Sequence, residues 1–190
     1  MKKVILKAEN LHYSYNKEHE VLKGISLDIY EGERLAVLGA NGSGKSTFFL
    51  NINGVLKPES GAVYYRDKLI NKSSIKDLRK NVGIVFQDAD NQIIASTVRA
   101  EVSFGPMNLG LSKEEVTKRV LDSLNYMDIS HLIDRPPHYL SGGEKKRVSI
   151  ADIIAMDSEI IIFDEPTASL DPQNIAIFEE VLDKMSLDKK

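Results

Sequence analysis

Gly39-Ala40-Asn41-Gly42-Ser43-Gly44-Lys45-Ser46-Thr47 fits the pattern G-x-x-x-x-G-K-[ST]. Glycines at this spacing let the backbone curl so that successive N–H groups converge on one point. A helix beginning at Lys45 adds its own unpaired N–H groups and the positive end of its dipole, so the concavity favours phosphate. Lys45 neutralises charge on the outer two phosphates of a nucleotide, and the Ser46 hydroxyl serves a magnesium ion. The flanks agree. Residues 34–38, Arg-Leu-Ala-Val-Leu, read as a buried strand feeding the loop; Phe48, Phe49, Leu50 and Ile52 read as a short buried helix stopped near Gly54. The bland alternative, a glycine-rich turn without a ligand, has no need of that strand-loop-helix context.

Composition bounds what surrounds the loop. A chain of 190 residues with 42% hydrophobic content supports one domain, or a domain with a lobe, and an ordinary core. The net charge of -3 gives no basic footprint for nucleic acid. The absence of cysteine excludes disulfides and cysteine-ligated metals and fits a reducing compartment. No apolar run approaches the ~18–20 residues needed to span a bilayer. Met1-Lys2-Lys3-Val4-Ile5-Leu6-Lys7 is too short in apolar residues for a signal peptide. The expectation is a soluble chain linked to a membrane only through a partner.

The first thirty residues read as β-structure: Leu11, Tyr13 and Tyr15 alternate with His12 and Ser14, and Ile25, Leu27 and Ile29 with Ser26, Asp28 and Tyr30. Residues 62–65 read as a short strand, and 82–86 as a buried strand ending at Gln87. From about 97 to 157 the pattern turns helical. Thr97 caps one helix, and Ser112-Lys113-Glu114-Glu115 is a capping box opening a longer one with Val116, Val120, Leu121 and Leu124 on its stripe. Arg135-Pro136-Pro137 interrupts, and a helix follows Ser141 with Val148, Ala151, Ile154 and Ala155 inward. Ile160-Ile161-Ile162-Phe163 is again a buried strand. Asp171-Pro172 starts a last helix carrying Ile175, Phe178, Leu182 and Met185. The fold class is α/β, with a β lobe and core over about 1–90, a helical lobe over about 91–157 and the core continuing over 158–190.

Ile160 to Phe163 runs into Asp164-Glu165, placing two carboxylates at the carboxyl end of a core strand, where open α/β sheets bind ligands. Adjacent strand residues point to opposite sides, so one carboxylate can serve magnesium through its water shell while the other addresses an attacking water. Leu140-Ser141-Gly142-Gly143-Glu144 contains a second capping box, Ser141-x-x-Glu144. Ser141 therefore caps the following helix, and the capped, glycine-rich start still offers backbone donors to an anion.

With these motifs in this order, the chain resembles the ATP-binding cassette (ABC) ATPases from about residue 4 onward. That resemblance implies a P-loop NTPase with an N-terminal antiparallel β lobe, a RecA-like core and an inserted helical lobe. It implies that ATP rests on Tyr15 and on Gly39, Ala40, Asn41, Gly42, Ser43, Gly44, Lys45, Ser46 and Thr47 of one subunit. Ser141, Gly142 and Gly143 of the opposite subunit then face the γ-phosphate. Mg2+ is held by Ser46 and Gln87 with Asp164 behind, Glu165 is the catalytic base beside Lys45, and Asp171 in Ser169-Leu170-Asp171 communicates across the dimer. The plainer reading of Tyr15 is packing with Leu11 and Tyr13; of Gln87, a polar residue at a strand end. Many family members have glutamine at the position of Glu144, which is read here as a cap and not a ligand.

Phe86-Gln87-Asp88-Ala89-Asp90-Asn91-Gln92 and Phe104-Gly105-Pro106-Met107-Asn108-Leu109-Gly110-Leu111 look like energy-coupling-factor importers, and most like cobalt-importer ATPases of the CbiO type. The resemblance implies a second ATPase subunit, identical or sister, a transmembrane coupling subunit, a solute-specific membrane component, a peripheral place on the cytoplasmic face of the membrane, and no nucleic acid. A vitamin importer is the alternative within the class. The family's switch histidine lies beyond another core strand; no histidine follows His138, and the chain stops at Lys190, so the pattern predicts missing final strands and slow turnover. A DNA-repair ABC ATPase would need a coiled coil between Gln87 and Ser141, an interval too short for one. A phosphate-loop kinase would have no use for 140–143, and a ribosome-associated relative would normally carry two cassettes.

Overall fold

In the computed structural model β1 (Val4–Asn16) and β2 (His19–Tyr30) form a long antiparallel pair, as the alternation of apolar and polar residues predicts. β3 (Ser60–Tyr65) adds to the other side of β1, and β4 (Lys68–Leu69) to β3, giving the order β2-β1-β3-β4. The β3–β4 link is a two-residue turn in which Arg66 and Asp67 both have positive φ, the geometry that suits the right-handed twist of a hairpin. Leu6, Ala8, Leu11, Leu22, Val63 and Tyr65 are buried on this sheet. α1 (Lys45–Ile52) buries Phe48 and Ile52, and the Gly54 carbonyl beyond it accepts from Arg79 Nη2 at 2.6 Å, on α2 (Ile75–Asn81). The structure describes residues 3–16, 18–168 and 170–188. It divides into two compact units at 79/80, ahead of the second sheet.

One expectation fails. Residues 33–40 form no strand, and Leu35 and Leu38 are exposed, Leu38 to 91%. A continuous apolar run reports a preference for burial, but a strand also needs a neighbour's free edge. Among the described residues no strand pairs with this segment.

In the second unit β5 (Val82–Val85) and β6 (Ile160–Phe163) pair in parallel from Val82↔Ile160 to Val85↔Phe163. Asp164 N extends the ladder to Val85 O at 3.0 Å. α3 (Val98–Asn108), α4 (Lys113–Tyr126), α5 (Gly142–Ala155) and α6 (Pro172–Asp188) surround a core that includes Val85, Val102, Leu124, Ile150 and Phe178. The predicted caps are in place: Thr97, Ser112 and Ser141 accept from the backbone N–H three residues on. At α5 the box is complete, for Glu144 Oε2 accepts from Ser141 N at 2.7 Å and from Ser141 Oγ at 2.9 Å. These bonds, the backbone one first, hold the Glu144 carboxyl below its ordinary 4.5.

β5 lies close to α5 at Gly83, where a Cβ would collide with the Ile153 side chain and come within 3.2 Å of Ser158 Oγ. Gly83→Ala is expected to lower unfolding free energy by about 1–3 kcal/mol in a urea titration, with Ile153→Ala, which removes the colliding Cγ2, costing less in that background than in the wild type. The depressed Glu144 carboxyl adds stability that is present above its unfolded value of 4.5 and is lost as pH falls through the lower folded value. Glu144→Gln, which keeps an acceptor without the titration, is expected to lose less stability than the wild type on acidification below 4.5, read as melting temperature against pH.

Candidate functional site

The first unit supplies a cradle. Gly44 has φ 96° and ψ 8°, and it leads into α1 with no side-chain cap and no acidic residue in the first turn. A side chain at Gly44 would be strained and would press within 3.1 Å of Val21 Cγ1 on β2. Ser43 N donates to Ala40 O at 3.1 Å, closing the turn, and the helix ladder begins with Phe48 N to Gly44 O at 2.8 Å. The helix thus opens at Lys45, Ser46 and Thr47 without a capping side chain, and Asn41, Gly42 and Ser43 ahead of it are exposed. Lys45 Nζ bends back onto Gly39 O at 3.1 Å and Ala40 O at 3.2 Å, which puts its charge at the rim of the loop. Tyr15 stands beside this helix: its Oη lies 3.2 Å from Thr47 Oγ1, Tyr13 meets it edge-on, and the residue is 63% exposed.

The second unit supplies carboxylates and a second helix start. Gln87 follows β5 and is exposed; Asp164 and Glu165 follow β6, the neighbouring parallel strand. Asp164 is buried, and its Oδ1 has no hydrogen-bond partner among the described residues. Glu165 has φ 44°, a left-handed conformation that costs a non-glycine residue energy and is held here directly before Pro166. Ser141 and Gly142 are exposed at the tip of α5. Gly143 is buried because the Asn174 side chain occupies the place of a Cβ, and Asn174 is itself held by Asp171, with N to Oδ1 at 2.9 Å and Nδ2 to Oδ2 at 2.8 Å. Those bonds from Asn174 lower the Asp171 carboxyl below its ordinary value. Ser169 lies outside the described residues.

Each set of sequence-predicted site residues is therefore assembled within its own unit: Tyr15 with 39–47 in the first, and Gln87, 141–143, Asp164, Glu165 and Asp171 in the second. Sequence reading missed Lys146, Gln92 and Asn174. Lys146 is buried in α5, and burial draws its ammonium below the ordinary lysine value while the Asp88 and Asp164 carboxylates draw it back up. Asp152, also on α5, is pushed up to about 7 by burial and by the charge of Glu101. No local signal in the sequence marked Lys146, which lies one helical turn before Ile150 and away from the stripe of Val148, Ala151, Ile154 and Ala155.

The family described as "ABC transporter" matches residues 22–168. A putative ABC transporter ATP-binding protein of Methanosarcina acetivorans is 49% identical over 183 residues, 96% of this chain and 56% of that protein. The energy-coupling factor transporter ATP-binding protein EcfA of Methanococcus maripaludis is 49% identical over 94% of this chain and 65% of its own length. The chain thus spans little more than half to two thirds of the curated relatives it matches. Among solved structures, cbiO1 of Clostridium perfringens, part of the ABC transporter complex cbiONQ, aligns over 99% of this chain and 76% of its own with a TM-score of 0.87 at 45% identity. The dimeric post-hydrolysis state of the cassette MJ0796, bound to ADP and Pi, aligns over 98% of this chain and 85% of its own at 0.85 and 31% identity. With the open helix start of α1, the capped start of α5 and the strand-end carboxylates in the family's order, the chain belongs to the ABC transporter ATP-binding family and has its P-loop NTPase fold.

Proposed function

We propose that this chain is the nucleotide-binding part of an ATPase subunit in an energy-coupling-factor importer, working as a pair of such subunits beneath a transmembrane coupling subunit and a solute-specific component. The observation that carries the reading is the uncapped, acid-free start of α1 behind Gly44, an arrangement of donors that suits the phosphates of ATP. Tyr15 covers the adenine with its exposed ring, and Lys45 leaves the Gly39 and Ala40 carbonyls for the β- and γ-phosphate oxygens. Ser141, Gly142 and Gly143 of the opposite subunit offer the tip of α5 to the γ-phosphate, and Asp171 supports that tip through Asn174. Glu165 orients the attacking water and accepts its proton. Peripheral attachment to the cytoplasmic face of a membrane follows from that assembly; among the described residues no helix is long and apolar enough to cross a membrane.

The donor set fits Mg2+. The buried, unpartnered Oδ1 of Asp164 has use for a cation or its water shell, and the other donors, the Ser46 hydroxyl and the Gln87 carboxamide, are hard oxygens. Magnesium, when bound, neutralises charge on the outer phosphates.

Cobalt is the proposed solute, supported by the likeness to cbiO1 and its complex cbiONQ. The decisive experiment is purification of the full-length protein from its source membrane, with identification of what accompanies it and uptake measured with labelled cobalt and labelled vitamins. Cobalt uptake that stops with ATP depletion supports the assignment; vitamin uptake alone replaces the solute.

Lys45→Ala is expected to weaken ATP binding by about 10- to 100-fold in a calorimetric titration, the loss of charge-assisted bonds to phosphate; unchanged affinity contradicts its role. Glu165→Gln in the full-length protein is expected to hold an ATP-bound dimer, seen as a shift to twice the mass on size exclusion with saturating ATP and Mg2+. A monomer under those conditions counts against Glu165 as the base.

A further inference from the structure

Three neighbouring residues of α5 tie down the loop that carries Gln87. Lys146, only 4% exposed, donates from Nζ to Phe86 O at 2.7 Å and to Gln87 O at 2.9 Å. Lys145 Nζ pairs with Asp90 Oδ1 at 2.5 Å. Gln92 closes the far end: its Oε1 accepts from Phe86 N at 3.1 Å, and its Nε2 donates to Ser149 O at 3.2 Å. The loop is thus tied along its length to the helix whose tip is 141–143. A buried ammonium is costly unless its charge and its donors are satisfied. Lys146 meets both needs with the two carbonyls and the nearby carboxylates of Asp88 and Asp164, so its place specifies where those groups stand.

We propose that Lys146 is a positioning residue that fixes the main chain of Phe86 and Gln87 from α5, so that the Gln87 side chain and the Asp164 carboxylate are presented from one rigid frame. Lys146 acts through Gln87 and Asp164. The inference rests on the ATPase reading for its catalytic consequence, but the mechanical tie stands on the geometry alone. Lysine suits the position because one ammonium bridges two successive carbonyls; glutamine supplies a shorter, uncharged donor, and methionine supplies none.

The test compares wild type, Lys146→Met and Lys146→Gln by amide hydrogen exchange without nucleotide, followed by ATP turnover and ATP affinity. Exchange across residues 86–92 is expected to rise about tenfold in Lys146→Met and by less in Lys146→Gln, with α4 amides unchanged. Turnover is expected to fall about tenfold with KM for ATP within about twofold, a loss in kcat alone. Unchanged exchange in the loop overturns the inference, as does equal acceleration in α4, which would make Lys146 a general stabiliser. Turnover equal to wild type overturns it while leaving the ATPase reading intact. A wild-type chain that binds no ATP sinks the ATPase reading instead, and the nucleotide-free exchange then decides the tie by itself.

Discussion

A helix start has more N–H donors than its own ladder can use, and this molecule treats that surplus in two opposite ways. At α1 no side chain caps it: Gly44 brings none to the N-cap, and the first turn has no carboxylate to compete for the dipole. At α5 it is closed by a complete Ser141–Glu144 box. The first arrangement costs stability and leaves a place for an anion. The second makes a rigid tip whose Ser141 hydroxyl donates to Glu144 until something displaces it. Both choices are written in the local sequence, yet only the contrast between them shows that one start has no side-chain cap where the other has a complete one.

Charge is organised around the same two starts. In the first unit the loop cation, Lys45, rests on carbonyls of its own loop, so its charge is near the donors it complements. In the second unit the order is inverted: the carboxylates lie at strand ends and the balancing ammonium of Lys146 comes from the helix behind them. Burial of Asp164 with an unpartnered oxygen is tolerable because Lys146 offsets part of its charge through space. The strained backbone at Glu165 belongs with this, since an unfavourable φ persists only where its surroundings over-determine it.

Local chemistry was legible in the sequence, and so was most of the fold. The starts of α1, α3, α4, α5 and α6 were readable from glycine, threonine, serine and aspartate at their caps, because capping is decided within four residues. β6 and the inward stripe of α6 were readable from apolar periodicity. What failed depends on distant partners. The segment 34–38 carries the composition of a buried strand without a paired edge, and β4 was missed because Arg66-Asp67 is not the asparagine- or aspartate-glycine pair that marks such a turn. In the candidate site the loop 39–47 was legible as a motif, whereas Lys146, Gln92 and Asn174 were not, for their roles are contacts across 57 to 60 positions or with a glycine's missing side chain.

That last group changes how the signature segment is to be understood. Taken alone, 140–144 is a capped helix tip. In the structure the same helix packs Gly143 against the Asn174–Asp171 pair on one side and holds Gln87 through Lys146 on another. Each tie is short-ranged and involves groups that lose a partner if the helix shifts by an ångström or two, so neither loop can be displaced without cost at α5. A glycine at 143 is then a packing requirement of the Asp171 loop as much as a feature of the tip. The rigidity of α5 is what converts three separate sequence motifs into one mechanical part.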